Sequence, residues 1–139
     1  MKSVFRSDYF QATLFPETEF LHLVRTASIL HTPLEVDRAY AAVADELVRW
    51  RGNRFLFDLR LGPATNDPEL EERMQPHITR VLGVMARWAF LVRTAVGGLQ
   101  VRRLAREQGT ILRQVFSDEQ AARAYLFGPI DPGRKPDGG

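Results

Sequence analysis

Residues able to do chemistry are sparse in this chain, so their types and spacing soon limit what it can do. The three histidines, His22, His31 and His77, stand far apart in the sequence. No HxH or HxxxH spacing joins them and no matched carboxylates accompany them, so a zinc-type site, which needs ligands at fixed offsets, is not expected. There is no cysteine, which removes thiolate nucleophiles, disulfides and cysteine-based metal sites. The serines, Ser3, Ser7, Ser28 and Ser117, belong to no motif that sets a general base beside a hydroxyl. The sequence therefore predicts no catalytic residue, no metal and no cofactor.

Two further clusters have a functional and a plainer reading. Val96-Gly97-Gly98-Leu99 sets glycines between an apolar run and a helical pattern, where backbone donors could hold a phosphate. The full dinucleotide fingerprint and the P-loop lysine are both missing, which favours a tight turn for close packing. Arg102, Arg103 and Arg106 share a helical pattern and Arg113 follows. Glu107 dilutes this basic group and no aromatic residues interleave to stack on bases, so a solvated helix face is the expectation and nucleic acid is not.

The most informative stretch runs from Asp58 to Pro68: it is polar, follows a buried strand pattern and leads into a helix start. Loops at the C-terminal ends of strands in open α/β sheets are where partners and ligands usually meet the fold. Asp58, Arg60, Thr65, Asn66 and Asp67 are accordingly the candidate partner-binding or switch-loop residues. A phosphate on Thr65 would gain from nearby backbone donors but meet repulsion from Asp67, Glu69, Glu71 and Glu72. The plainer reading is an Asx turn and helix cap made by Asn66 or Asp67.

The elements that must position this loop follow from periodicity. Residues 9–15 alternate apolar and polar, as a half-buried strand does, Pro16-Glu17-Thr18 supplies a turn, and Phe20 to Ile29 reads as a second, antiparallel strand. Thr32-Pro33-Leu34-Glu35 combines an N-cap hydroxyl, a first-turn proline and a capping-box glutamate. Val36, Tyr40, Val43, Leu47 and Trp50 then form one helical stripe, closed at Gly52-Asn53. Arg54 to Leu61 reads as a central strand. A second helix starts at Asp67-Pro68-Glu69 and keeps apolar spacing through Leu70, Met74, Ile78, Val81, Met85 and Trp88, with Pro76 expected to kink or split it.

A fourth strand is predicted over 90–96, a third helix over 99–108, a fifth strand over 110–116, and a last helix over 121–127 behind a capping box at Ser117-Asp118-Glu119-Gln120. The order is ββαβαβαβα: an α/β fold with a mixed five-stranded sheet, flanking helices and only the first strand antiparallel to its neighbour. Residues 1–127 are read as a single domain. The Pro- and Gly-rich segment 128–139 is expected to stay disordered.

A chain of 139 residues with 45% apolar content can bury one core without staples. The formal charge of +2 arises from 17 Arg and 2 Lys against 17 acids, which is too balanced to argue for a nucleic-acid partner. The preference for Arg over Lys suggests a GC-rich, bacterial genome. The N-terminus lacks the apolar run of a signal peptide, and the longest apolar stretch, Trp88 to Val92, is too short to span a bilayer. A cytoplasmic protein without membrane insertion is expected.

The element order, the Phe55-Leu56-Phe57-Asp58 strand running into a loop before a helix, and the closing segment from Val115 to Leu126 resemble the STAS-like domains, which include bacterial anti-sigma-factor antagonists. The resemblance covers roughly residues 9–127. It implies a non-enzymatic regulatory or scaffold domain acting through protein–protein binding, with a regulated serine or threonine at the start of the helix after the central strand. The matching region here reads Thr65-Asn66-Asp67-Pro68 in place of the family's Asp-Ser-Ser-Gly pattern. The partner expected is another protein, with a homodimer as a further association. The alternative is a STAS-like carrier of a small molecule or lipid beside the proline-broken second helix.

Overall fold

The computed structural model describes residues 1–63, 67–93 and 114–129. These residues form an α/β structure. Strands β1 (Lys2–Arg6), β2 (Phe10–Phe15) and β3 (Phe20–Arg25) come first, then helix α1 (Pro33–Leu47), strand β4 (Arg54–Asp58), helix α2 (Pro68–Leu82), strands β5 (Arg87–Leu91) and β6 (Val115–Phe116), and helix α3 (Glu119–Phe127). The sheet has six strands in sequential order, not five. β2 runs antiparallel to both β1 and β3, and β3, β4, β5 and β6 run parallel.

The extra strand is β1, at the edge of the sheet. Its register slips between Ser3 and Phe5, so the period-2 pattern that marks a strand in sequence is broken within five residues. Lys2 and Arg6 at its ends carry charge, as edge strands commonly do. The predicted first strand is β2. The predicted second strand is shorter than expected, because at Thr26 the chain turns: its hydroxyl donates to the carbonyl of Asp8 at 2.6 Å and accepts from Ser28 N at 3.3 Å.

Helix α1 begins as its sequence dictates. Thr32 Oγ1 accepts from Glu35 N at 3.1 Å, and the Glu35 carboxylate accepts from His31 N at 3.1 Å, so both side chains satisfy otherwise orphaned donors. Its buried stripe is Val36, Tyr40, Val43, Ala44 and Leu47. Helix α2 passes through Pro76 without splitting and ends at Leu82, with Gly83 as its cap. The predicted extension to Trp88 is wrong, because Met85 and Trp88 fit a helical period by coincidence. Trp88 is a strand residue paired with Phe55, and β5 starts at Arg87 rather than at residue 90.

The crossover helices α1 and α2 lie on one face of the sheet and touch each other. His77 Nε2 meets Asp37 Oδ1 at 2.8 Å and Arg73 Nη1 meets Asp37 Oδ2 at 3.4 Å across that contact. The core on this face is aromatic: Phe10, Phe57 and Phe90 form a row with centroids 6.3 and 6.0 Å apart, and Tyr40 meets Phe10 edge-on at 4.9 Å. Helix α3 lies on the other face over a smaller core of Phe20, Leu56, Ala89, Leu91, Ala122 and Leu126. The predicted helix over 99–108 and most of the strand over 110–116 lie outside the described residues, as does the tail from residue 130.

The N-cap of α3 is Asp118, whose carboxylate accepts from Ala121 N at 3.1 Å, rather than Ser117. Its last turn is held by two arginines that are register partners at the starts of β4 and β5. Arg54 Nε donates to Leu126 O at 3.0 Å and Arg87 Nη1 donates to Tyr125 O at 2.6 Å. Neighbouring like charges repel, but here they share the negative end of a helix, where cations are favourable.

The packing sets an order of sensitivities. Phe57→Ala empties the middle of the aromatic row and is expected to cost about 3–5 kcal/mol, whereas Thr32→Ala removes one cap bond and should cost about 1 kcal/mol. Urea unfolding of both variants at neutral pH measures the difference.

Candidate functional site

Strand parity decides which side chains can meet at the C-terminal end of the parallel strands. On β4, Phe55 and Phe57 face α1 and α2, so Leu56 and Asp58 face α3. On β3, Phe20 lies on the α3 side, and His22, two residues on, shares that side. Asp58 therefore ends the central strand facing the start of α3, with His22 on the neighbouring strand.

Asp58 turns the chain at this point. Its Oδ1 accepts from Arg60 N at 3.1 Å, an Asx turn that ends β4. The Arg60 side chain folds back onto the same carboxylate in a bidentate pair, Nε to Oδ1 at 3.0 Å and Nη2 to Oδ2 at 2.8 Å. Arg60 Nη2 also donates to Glu119 Oε1 at 2.8 Å, and Glu119 Oε2 accepts from Arg123 Nε at 2.9 Å. The Arg123 guanidinium lies 5.0 Å from the centroid of Phe20, which stacks on His22 at 5.9 Å. His22 Nε2 is enclosed and lies 3.5 Å from Asp58 Oδ2, longer than an ordinary hydrogen bond. His22, Asp58, Arg60, Glu119, Arg123 and Phe20 thus close a ring joining β3, β4 and α3.

The electrostatics follow from this ring. Burial by itself would raise the Asp58 carboxyl, but His22 and Arg60 outweigh it and hold the group well below the usual carboxylate range. Arg123 and, beyond the opposing effect of burial, Arg60 lower the Glu119 carboxyl. The bond to Asp58 raises Arg60 above its ordinary value. A carboxylate held this low is a poor proton acceptor and cannot serve as a general acid near neutrality. The arrangement suits a latch between the β4–α2 loop and α3 better than a proton-transfer site. Among the described residues, no three His, Asp or Glu side chains are grouped so as to hold a metal ion.

Of the residues singled out in sequence, Asp58 and Arg60 come together as a pair. Asp67 stands apart as the N-cap of α2, accepting from Glu69 N at 3.0 Å, which is its plainer reading. Thr65 and Asn66 lie outside the described residues. Sequence reasoning missed His22, read only as a sheet residue, and Glu119, assigned to a capping box. It missed Arg123 as well. Parity was the available signal for His22: it alternates with Phe20, and Asp58 alternates with Leu56. Glu119 became readable only once the cap moved to Asp118, which leaves Glu119 in the first turn of α3, facing Arg60.

Leu61 and Pro63 continue the loop beyond the pair, and Gly62 N closes a turn on Leu59 O at 3.2 Å. Leu61 is 62% exposed, and Ile29 and Leu34, on the adjoining β3–α1 connection and first turn of α1, are 55% and 57% exposed. Among the described residues, no helix is long and apolar enough to cross a membrane.

The depressed carboxyls have a stability consequence with a definite sign. Groups whose folded pKa lies below the unfolded value stabilise the fold above the unfolded pKa, and that stability is lost as pH falls through the folded value. Wild type is therefore expected to lose stability below about pH 4. Arg60→Met should cost about 1–2 kcal/mol at pH 7, the low end because Arg60 is partly exposed, and should flatten the acid dependence. Urea unfolding at pH 7, 5 and 3 reads both effects; an equally steep loss in the variant would remove Arg60 as the cause.

No protein-family model matches the chain, and comparison with curated proteins and with solved structures finds no match either.

Proposed function

We propose that this chain is a non-enzymatic regulatory or scaffold domain of the STAS-like kind, working in the bacterial cytoplasm by binding another protein. Its binding surface is the rim at the C-terminal ends of β3 and β4: the Leu59–Pro63 loop, the β3–α1 connection and the first turn of α1. The observation that carries the reading is the exposure of Leu61, beside an arginine fixed by two carboxylates. A large apolar side chain held out by a turn, next to a pre-ordered polar group, is how partner surfaces combine an apolar anchor with polar orientation.

The chemistry of the ring supports binding over catalysis. Its carboxylates are ionised and occupied by guanidinium groups, which orient side chains without offering a free acid or base. Fixing Arg60 before a partner arrives reduces the side-chain entropy lost on binding. The carrier alternative draws less support, because the apolar positions of α2, Ile78, Val81 and Leu82, are buried in the core against α1 and the sheet.

Affinity purification of the tagged chain from its own cells, with mass spectrometry of what is retained, tests the reading. Leu61→Ser should leave the unfolding free energy from urea titration within about 0.5 kcal/mol of wild type, because the side chain is exposed, and should lose a protein that wild type retains. The same proteins retained by wild type and variant would end the assignment of this rim. Recovery of a second copy of the chain alone would make the surface a homodimer contact.

A further inference from the structure

We infer that Arg25 is the core of a binding site for an oxyanion, a carboxylate or phosphoryl group, set between the β3–α1 and β4–α2 loops. Arg25 is the last residue of β3 and only 6% exposed. Its Nη1 donates to the carbonyl of Thr26 at 2.8 Å, and its guanidinium lies 5.7 Å from the ring centroids of both Tyr9 and Phe10. Among the described residues no ion pair joins it to a carboxylate. A buried guanidinium carries a large desolvation cost, and buried charges are ordinarily paired. The Thr26 carbonyl, the Tyr40 hydroxyl and two ring faces, all neutral, offset part of that cost, and a guanidinium with five N–H donors still has donors to give.

The surroundings fit an anion. Tyr40 is buried beside Arg25, and its hydroxyl oxygen accepts from the guanidinium; burial raises its pKa against that opposing effect, so it stays a neutral phenol whose own O–H can donate to an anion on the same side. Gly62 lies so close that a Cβ there would sit 2.8 Å from Arg25 Cγ. The β4–α2 loop therefore lies directly on the arginine stem and holds it in place. The C-terminal ends of adjacent parallel strands are also where open α/β sheets bind ligands. The planar fork of arginine matches a carboxylate or phosphoryl group with two parallel bonds. The site lies beneath the same loops as the proposed protein surface but does not rest on that reading, since a small anion needs no macromolecular partner.

The test is an amide NMR titration of the 15N-labelled full chain with sodium phosphate and, separately, sodium acetate, each replacing chloride at constant ionic strength. The expected result is a saturable shift of the Thr26, Leu59 and Gly62 amides with at least one anion, and the anion that gives it distinguishes phosphoryl from carboxylate recognition. Arg25→Met should weaken that response roughly tenfold or more, and Gly62→Ala should weaken it by displacing the arginine stem. Should Arg25→Met fail to fold, Arg25→Lys takes its place: it keeps the charge without the fork and should also bind more weakly. Shifts linear in both anions, or a saturable shift unchanged in the arginine variant, would overturn the inference.

Discussion

The bidentate bond between Asp58 and Arg60 determines where the central strand stops and what can follow it. Strand β4 is apolar on both faces through Phe57, and without an acceptor at its end the backbone amide of Arg60 would have to find another partner. Asp58 supplies that acceptor and at the same time takes both arms of the Arg60 side chain. Turn and side chain are thus set by a single carboxylate. Because Arg60 also reaches Glu119, the first turn of α3 is placed by the same group. The loop, the helix and the strand end are held together by hydrogen bonds that share atoms, which makes them one unit rather than three local choices.

Helix α3 is short, and nine residues of helix are marginal in isolation. It is held at both ends. Asp118 and the Arg60–Glu119 bond secure its start, and Arg54 and Arg87 secure its last carbonyls. Between those ends it buries only Ala122 and Leu126. Tyr125 and Phe127 add ring contacts to Phe116 and Phe20, and directional bonds from β4 and β5 fix where this small apolar face sits. This contrasts with α1, whose five buried side chains continue the aromatic core.

The two faces of the sheet were unequally legible in the sequence. Helices α1 and α2 and strands β2 and β4 announced themselves through long apolar stripes, a capping box and strand alternation, signals that need only neighbours in the chain. Strand β1 gave no such signal, because a slipped register and charged ends remove the alternation. The start of β5 was obscured because Met85 and Trp88 prolong a helical spacing that the backbone abandons at Gly83. The site was half legible: Asp58 and Arg60 lie two residues apart and could be named, whereas Glu119 lies 59 residues beyond Arg60. No local pattern reports a contact made only after three strands and a helix have assembled.

Arginine is abundant here, and the structure shows three ways of accommodating it. At the N-terminal ends of the parallel strands, Arg54 and Arg87 give their donors to helix carbonyls and lie on the rings of Phe127 and Tyr125. Arg60, just past the C-terminal end of β4, and Arg123, on α3, meet carboxylates. Both pairs are partly exposed, so water shares the task of solvating them. Arg25 differs on both counts, being enclosed and facing neither a helix terminus nor an acid. Among the arginines at the ends of the parallel strands, the most buried one is the one that meets only neutral groups. Substituting an apolar side chain of similar length would keep its packing on Tyr9 and Phe10 and remove the desolvation cost, so stability alone does not account for a guanidinium at the end of β3.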